Sequence, residues 1–144
     1  MKNLVHREFI VDATIETAWI HLAQVEKWPS WAKHFKHVEL TPKGQLTLES
    51  KGTFHLKNGI RSEFRMIEIN HPRNWKWVGP FLWLTVHYDH LFEEVDGQRT
   101  KLTWVVNAEG FGVSVFGRLF AIIYNGNLNR AIPNLIDEIN ALKP

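Results

Sequence analysis

The chain has 144 residues, 17 basic and 15 acidic side chains for a formal net charge of +2, and no cysteine. Charges of both signs are scattered without forming a basic stripe, which argues against a nucleic-acid partner, and the lack of thiols excludes disulfides, thiolate catalysis and cysteine-based zinc sites. With 44% hydrophobic residues, seven Trp and no apolar run of about 18 residues, the expectation is one soluble globular domain over 1–144 whose aromatic excess has to be housed somewhere.

The opening MKNLVHREF carries no apolar leader, so a cytoplasmic location is expected. Leu4 to Val11 alternates, with Val5, Phe9 and Val11 on one side, and predicts a strand. Thr14 then stands as the N-cap of a short helix in which Ile15, Trp19 and Leu22 share a face. A second helical turn is expected over Val25 to Trp28, ended by Pro29.

From Phe35 to Glu109 the pattern has period two, with turn signals at Pro42-Lys43-Gly44, Asn58-Gly59, His71-Pro72 and Asp96-Gly97. Five or six hairpin-connected antiparallel strands follow. Parity places Phe54, Leu56, Ser62, Phe64, Met66, Trp75, Trp77, Val86, Tyr88, His90, Phe92, Leu102, Trp104 and Val106 on one face. Arg61, Glu63 and Arg65 fall on the other as a charge ladder, although a register shift of one residue would turn them inward. Apolar Ile67 and Ile69 break the parity after Met66, which predicts a bulge or a strand end.

Gly112 to Leu142 is the one stretch long and apolar enough for a major helix, and the sheet must bury it. Leu128, Ile132, Leu135, Ile139 and Leu142 form a narrow stripe, with Asn134, Asp137 and Asn140 facing away. In the first half the same meridian carries Ser114, Gly117, Ala121 and Tyr124, small where large residues would fill space. Asn125-Gly126-Asn127 and Pro133 predict a kink or short break between the halves. Phe116, Leu119 and Ile123 then face away from the sheet; the Trp28–Trp31 loop covers them, or else they dock a second copy of the chain or, transiently, a membrane surface.

Strand, two short helices, a run of antiparallel strands and one long C-terminal helix make an α+β protein. At this point the chain resembles the SRPBCC or START-like superfamily, and within it the polyketide cyclase/dehydrase and lipid transport group. The resemblance is carried by Asp12-Ala13-Thr14-Ile15-Glu16-Thr17-Ala18-Trp19, by Trp28-Pro29-Ser30-Trp31, and by the last hairpin running to Gly110 before the long helix. It implies a helix-grip fold: a curved antiparallel sheet of about six or seven strands wrapped around the C-terminal helix. It also implies a deep apolar cavity between them for a lipid, sterol or polyketide-like molecule.

Within that frame Trp75, Trp77, Tyr88, Phe92 and Trp104, opposite Gly117 and Ala121, are the candidate cavity walls; the bland alternative is that the rings simply fill a core. His90 is the polar candidate, able to donate to a carbonyl or shuttle a proton, with Tyr88, Tyr124 and Ser62 as orienting hydroxyls. No metal is expected, because His34 with His37 and His87 with His90 are three apart and diverge on a strand. No phosphate loop or nucleophile motif appears, so no cofactor is expected. The readings that remain are a carrier or sensor of a small hydrophobic ligand, a cyclase or dehydratase using His90 as general acid/base, and an interaction module docking through Phe116, Leu119 and Ile123.

Overall fold

The structure is a computed structural model and describes residues 1–142. Strand β1 (Lys2–Val11) is followed by helix α1 (Ile15–Ala23) and a 3-10 helix, Val25–Ser30. Six further strands come next: β2 (Phe35–Thr41), β3 (Lys51–Leu56), β4 (Arg61–Asn70), β5 (Asn74–Phe81), β6 (Leu84–Asp96) and β7 (Arg99–Glu109). Helix α2 (Val113–Asn140) closes the chain.

All seven strands join one sheet in the order β1-β7-β6-β5-β4-β3-β2, every neighbouring pair antiparallel. The α1 and 3-10 segment carries the chain from the β1 edge to the β2 edge, and α2 packs in the concave face. This is the helix-grip arrangement, and its inner face carries the residues that parity assigns to it: Phe54, Phe64, Met66, Trp75, Trp77, Val86, Tyr88, His90, Phe92, Leu102, Trp104 and Val106 are all buried.

Sharp curvature has a visible sequence cause. A Cβ on Gly52 would collide with the carbonyl of Glu39 and sit 2.6 Å from Phe64 Cζ, and one on Gly79 would collide with the carbonyl of Glu63. Only glycine lets adjacent strands approach so closely there. The parity slip after Met66 is a β-bulge, with the β4–β5 register shifting between Met66 and Glu68.

Thr14 caps α1, its Oγ1 accepting from the Thr17 N–H at 3.2 Å. Trp19 on that helix meets Trp75 edge-on at 4.9 Å and Phe92 at 5.0 Å. The 3-10 helix runs through Pro29 to Ser30, so Pro29 sits inside it and does not end it.

Helix α2 differs from expectation in three ways. No break interrupts it from Val113 to Asn140, and Pro133 lies inside it between buried Ala131, Ile132 and Leu135. Asn134 and Asn140 do not point idly into water: Asn134 Nδ2 donates to the Trp31 carbonyl at 3.2 Å, and Asn140 Oδ1 accepts from the Asp12 N–H at 2.8 Å. Beside them Glu138 accepts from His21 at 2.7 Å and from Ser30 Oγ at 2.9 Å, fastening the C-terminal half to the two short helices. Third, the stripe Leu128, Ile132, Leu135 and Ile139 is buried as expected, but Leu142 is exposed because it lies past the last helical turn.

Candidate functional site

A cavity of about 400 Å³ lies between the sheet and the first half of α2. Its walls are Phe35 from β2, Phe54 and Leu56 from β3, Ser62 and Phe64 from β4, Trp77 from β5 and Tyr88 from β6, with Trp28 closing the inner end. The helix contributes Phe120, Ile123, Tyr124 and Asn127, spaced so that they lie along one face. Phe120 and Tyr124 stack on each other at 5.2 Å, and Tyr88 lies 6.0 Å from Tyr124. Exposed Lys57, Asn58 and Ile60 at the β3–β4 turn mark where the cavity reaches solvent.

Behind it, a void of about 30 Å³ touches Trp28, Trp31, His34, His90, Trp104 and Tyr124, room for about one water molecule. His90 Nδ1 lies 3.3 Å from the Trp75 carbonyl and its ring stacks on Trp75 at 4.9 Å. With Nδ1–H donating to that carbonyl, Nε2 is left as an acceptor.

Burial sets the charge state of this interior. Desolvation drives His90 down to about 3, only partly opposed by the Trp75 carbonyl, and drives His34 down to about 4, helped by the Arg130 charge. Both Tyr88 and Tyr124 are pushed well above the usual phenol value, chiefly by burial; a side-chain hydrogen bond from Ser62 to Tyr88 works the other way. At neutral pH these imidazoles and phenols are therefore uncharged, and the interior suits an uncharged, mainly apolar occupant with one or two polar atoms.

The residues singled out from sequence divide into three groups. Trp77, Tyr88 and Tyr124 line the main cavity, as does Ser62. His90 and Trp104 border only the small inner void. Trp75 and Phe92 are packed against Trp19 and line neither space; Ala121 lines neither, and Gly117 faces Leu4 of β1. The room left by Gly117 is taken by Leu4, whose Cδ2 would lie 2.8 Å from an added Cβ. Ser114, placed on the same meridian, is exposed, and Phe120 is the large residue that faces the sheet instead.

Sequence reading passed over Trp28, Phe35, Phe120 and Asn127 as cavity residues. Phe120 carries no distinguishing signal in the sequence, because α2 is apolar on most sides and its small residues mark a different meridian. Arg61, Glu63 and Arg65 are all exposed on the outer face, so the charge-ladder reading holds.

Beyond Ile60 and Ile123, exposed residues that line the cavity, the β5–β6 turn and the first half of α2 carry further exposed apolar side chains. The β5–β6 turn was not anticipated, since Phe81-Leu82-Trp83-Leu84 contains no turn residue, yet Leu82 adopts a positive φ of 56° there. Leu82, Trp83, Phe111, Val115, Leu119, Ile122 and Ile123 are exposed. Trp83 Nε1 donates to the Phe111 carbonyl and its ring meets Phe116 at 4.7 Å, which ties the β5–β6 turn to the start of α2 within this apolar rim. The Trp28–Trp31 segment does not cover it: both indoles are buried, Trp28 against Phe54 and Trp77 and Trp31 against Trp104. Within α2, Arg118 and Arg130 are unmatched by any acidic residue before Asp137.

Among the described residues no helix is long and apolar enough to cross a membrane, and one set of His and acidic donors lies close enough to share a cation. That set, His37, Glu39 and His55, is on the outer face of β2 and β3, away from the cavity.

Solved structures similar to this one include a protein from Thermobifida fusca, with a TM-score of 0.78 at 15% identity, covering 99% of this chain and 96% of that one. A START superfamily protein from Mycobacterium smegmatis matches with a TM-score of 0.71 at 13% identity, over 95% of this chain and 99% of that one. The Zhui aromatase/cyclase from a Streptomyces species matches with a TM-score of 0.70 at 16% identity, over 94% of this chain and 92% of that one. At such identities the likeness speaks for the fold. No curated protein sequence matches the chain. The family model for polyketide cyclase / dehydrase and lipid transport, however, matches residues 4–138. With the helix-grip fold on the page and that match spanning nearly the whole sequence, the chain belongs to the polyketide cyclase / dehydrase and lipid transport family.

Proposed function

We propose that the protein is a carrier or sensor that holds one small, uncharged hydrophobic molecule in the cavity walled by Trp28, Phe54, Trp77, Tyr88, Phe120 and Tyr124. The observation that carries this is an aromatic space of about 400 Å³ whose lining phenols, Tyr88 and Tyr124, and half-buried His34 imidazole are held neutral. Ring faces supply affinity through burial, and the Tyr88, Tyr124 and Ser62 hydroxyls orient a single polar group. A cyclase or dehydratase that used His90 as general acid/base is the less favoured reading: His90 borders only the inner void and is neutral far below physiological pH.

The apolar rim gives the carrier a loading route. Leu82, Trp83, Leu119, Ile122 and Ile123 rest on a membrane while the ligand passes between bilayer and cavity, with Arg118 facing anionic headgroups. An apolar ligand then need not cross water.

A loading assay tests both parts. A fluorescent apolar probe is offered free in solution and embedded in phosphatidylcholine/phosphatidylglycerol vesicles. Ser62→Phe, which fills the cavity from β4, should lose the probe in both formats while remaining folded. Ile122→Glu should keep the solution affinity and load several-fold more slowly from vesicles. Equal binding by Ser62→Phe and wild type would overturn the cavity reading, and equal vesicle loading by Ile122→Glu the rim reading.

A further inference from the structure

We propose that His37, Glu39 and His55 form a surface site for a first-row divalent cation of the zinc type. The antiparallel register of β2 and β3 sets His37 directly opposite His55, and Glu39 follows two residues later on the same face of β2. The imidazoles lie nearly parallel, with ring centroids 4.1 Å apart and planes 17° apart. Both Nε2 atoms are turned to one carboxylate oxygen: Glu39 Oε1 is 3.0 Å from His55 and 3.6 Å from His37.

Donors each bound about 2.0–2.1 Å from a tetrahedral zinc lie about 3.3 Å from one another. The observed 3.0 and 3.6 Å bracket that separation, and all three donor atoms lie within 4.8 Å of one another. A cation entering between them therefore needs only small side-chain adjustments. Two imidazoles and one carboxylate suit zinc, and the exposure of His37 and Glu39 leaves solvent free to complete the coordination.

Other histidines pair with glutamates, namely His6 with Glu8, His21 with Glu138, His71 with Glu16 and His87 with Glu109. Each of those offers two donors, whereas at β2–β3 one carboxylate is shared by two imidazoles. Arg61, opposite His55 on β4, lies on the far side of the ladder from Glu39. The consequence of binding would be mechanical: β2 is an edge strand, and a cation would staple it to β3, whose inner face carries the cavity residues Phe54 and Leu56.

Calorimetric titration of the full chain with zinc chloride, read beside the visible spectrum with cobalt chloride, tests the site. The expected result is one saturable site per chain, with a tetrahedral cobalt spectrum and a raised Tm in zinc. His37→Ala, Glu39→Gln and His55→Ala should each weaken binding at least about tenfold, since loss of even an outer-shell partner costs that much. Circular dichroism checks that each variant is folded, and His37→Ala and Glu39→Gln, both altering exposed side chains, keep the test available if His55→Ala unfolds. No saturable binding by wild type, or binding that survives in all three variants and so belongs to another His–Glu pair, would overturn the proposal.

Discussion

His90 illustrates how much a single side chain owes to its surroundings. An imidazole protonates ordinarily near 6.5, but desolvation holds His90 down to about 3, so between those values the unfolded chain binds a proton that the folded chain refuses. Stability therefore falls as pH drops through this window, by up to about 1.4 kcal/mol per pH unit for one such group. His34, held near 4 by burial and Arg130, adds to the same window. Urea unfolding of wild type across it should show the midpoint falling with acid, and His90→Gln should flatten the slope; a variant with an unchanged slope would remove His90 as the cause. Its inward position was legible from strand parity. The depth of its burial was not, because that depends on the stack with Trp75 and on Trp28 lying 5.9 Å above it, contacts between distant elements.

Among the elements, α2 shows where periodicity informs and where it fails. The stripe Leu128, Ile132, Leu135 and Ile139 was readable because polar residues separate its members, and the structure buries all four. Leu135 is fully buried, so Leu135→Ala should cost about 2–5 kcal/mol in chemical denaturation. Leu119→Ser, on the rim at 49% exposure, should stay within about 0.5 kcal/mol of wild type. Equal costs would mean that the two halves of the helix do not divide into anchor and cavity wall. The first half misled the reading because apolar residues surround it: some line the cavity, some form the rim, and sequence alone gives both the same letter. Strand pairing set a similar limit on the metal donors. His37 and His55 are far apart in sequence and become neighbours only through register, which spacing along one strand cannot reveal.

For the whole molecule, the order of elements and the inner face of the sheet were legible, since hairpin turns and parity are local properties. Cavity shape was not, because it depends on which large side chains meet and which fail to meet across the grip. Leu4 fills the room at Gly117, while Phe120 and Tyr124 stand back from Trp77 and Phe54 to leave about 400 Å³. The central claim is that this space takes a small hydrophobic molecule. Native mass spectrometry of protein purified from its own cells without detergent tests it most directly. A single added mass that survives desalting and partitions into organic solvent, and that is absent from Ser62→Phe, is the predicted result. Bare chain mass in both proteins, with no mass gained on incubation with a total lipid extract, would contradict it.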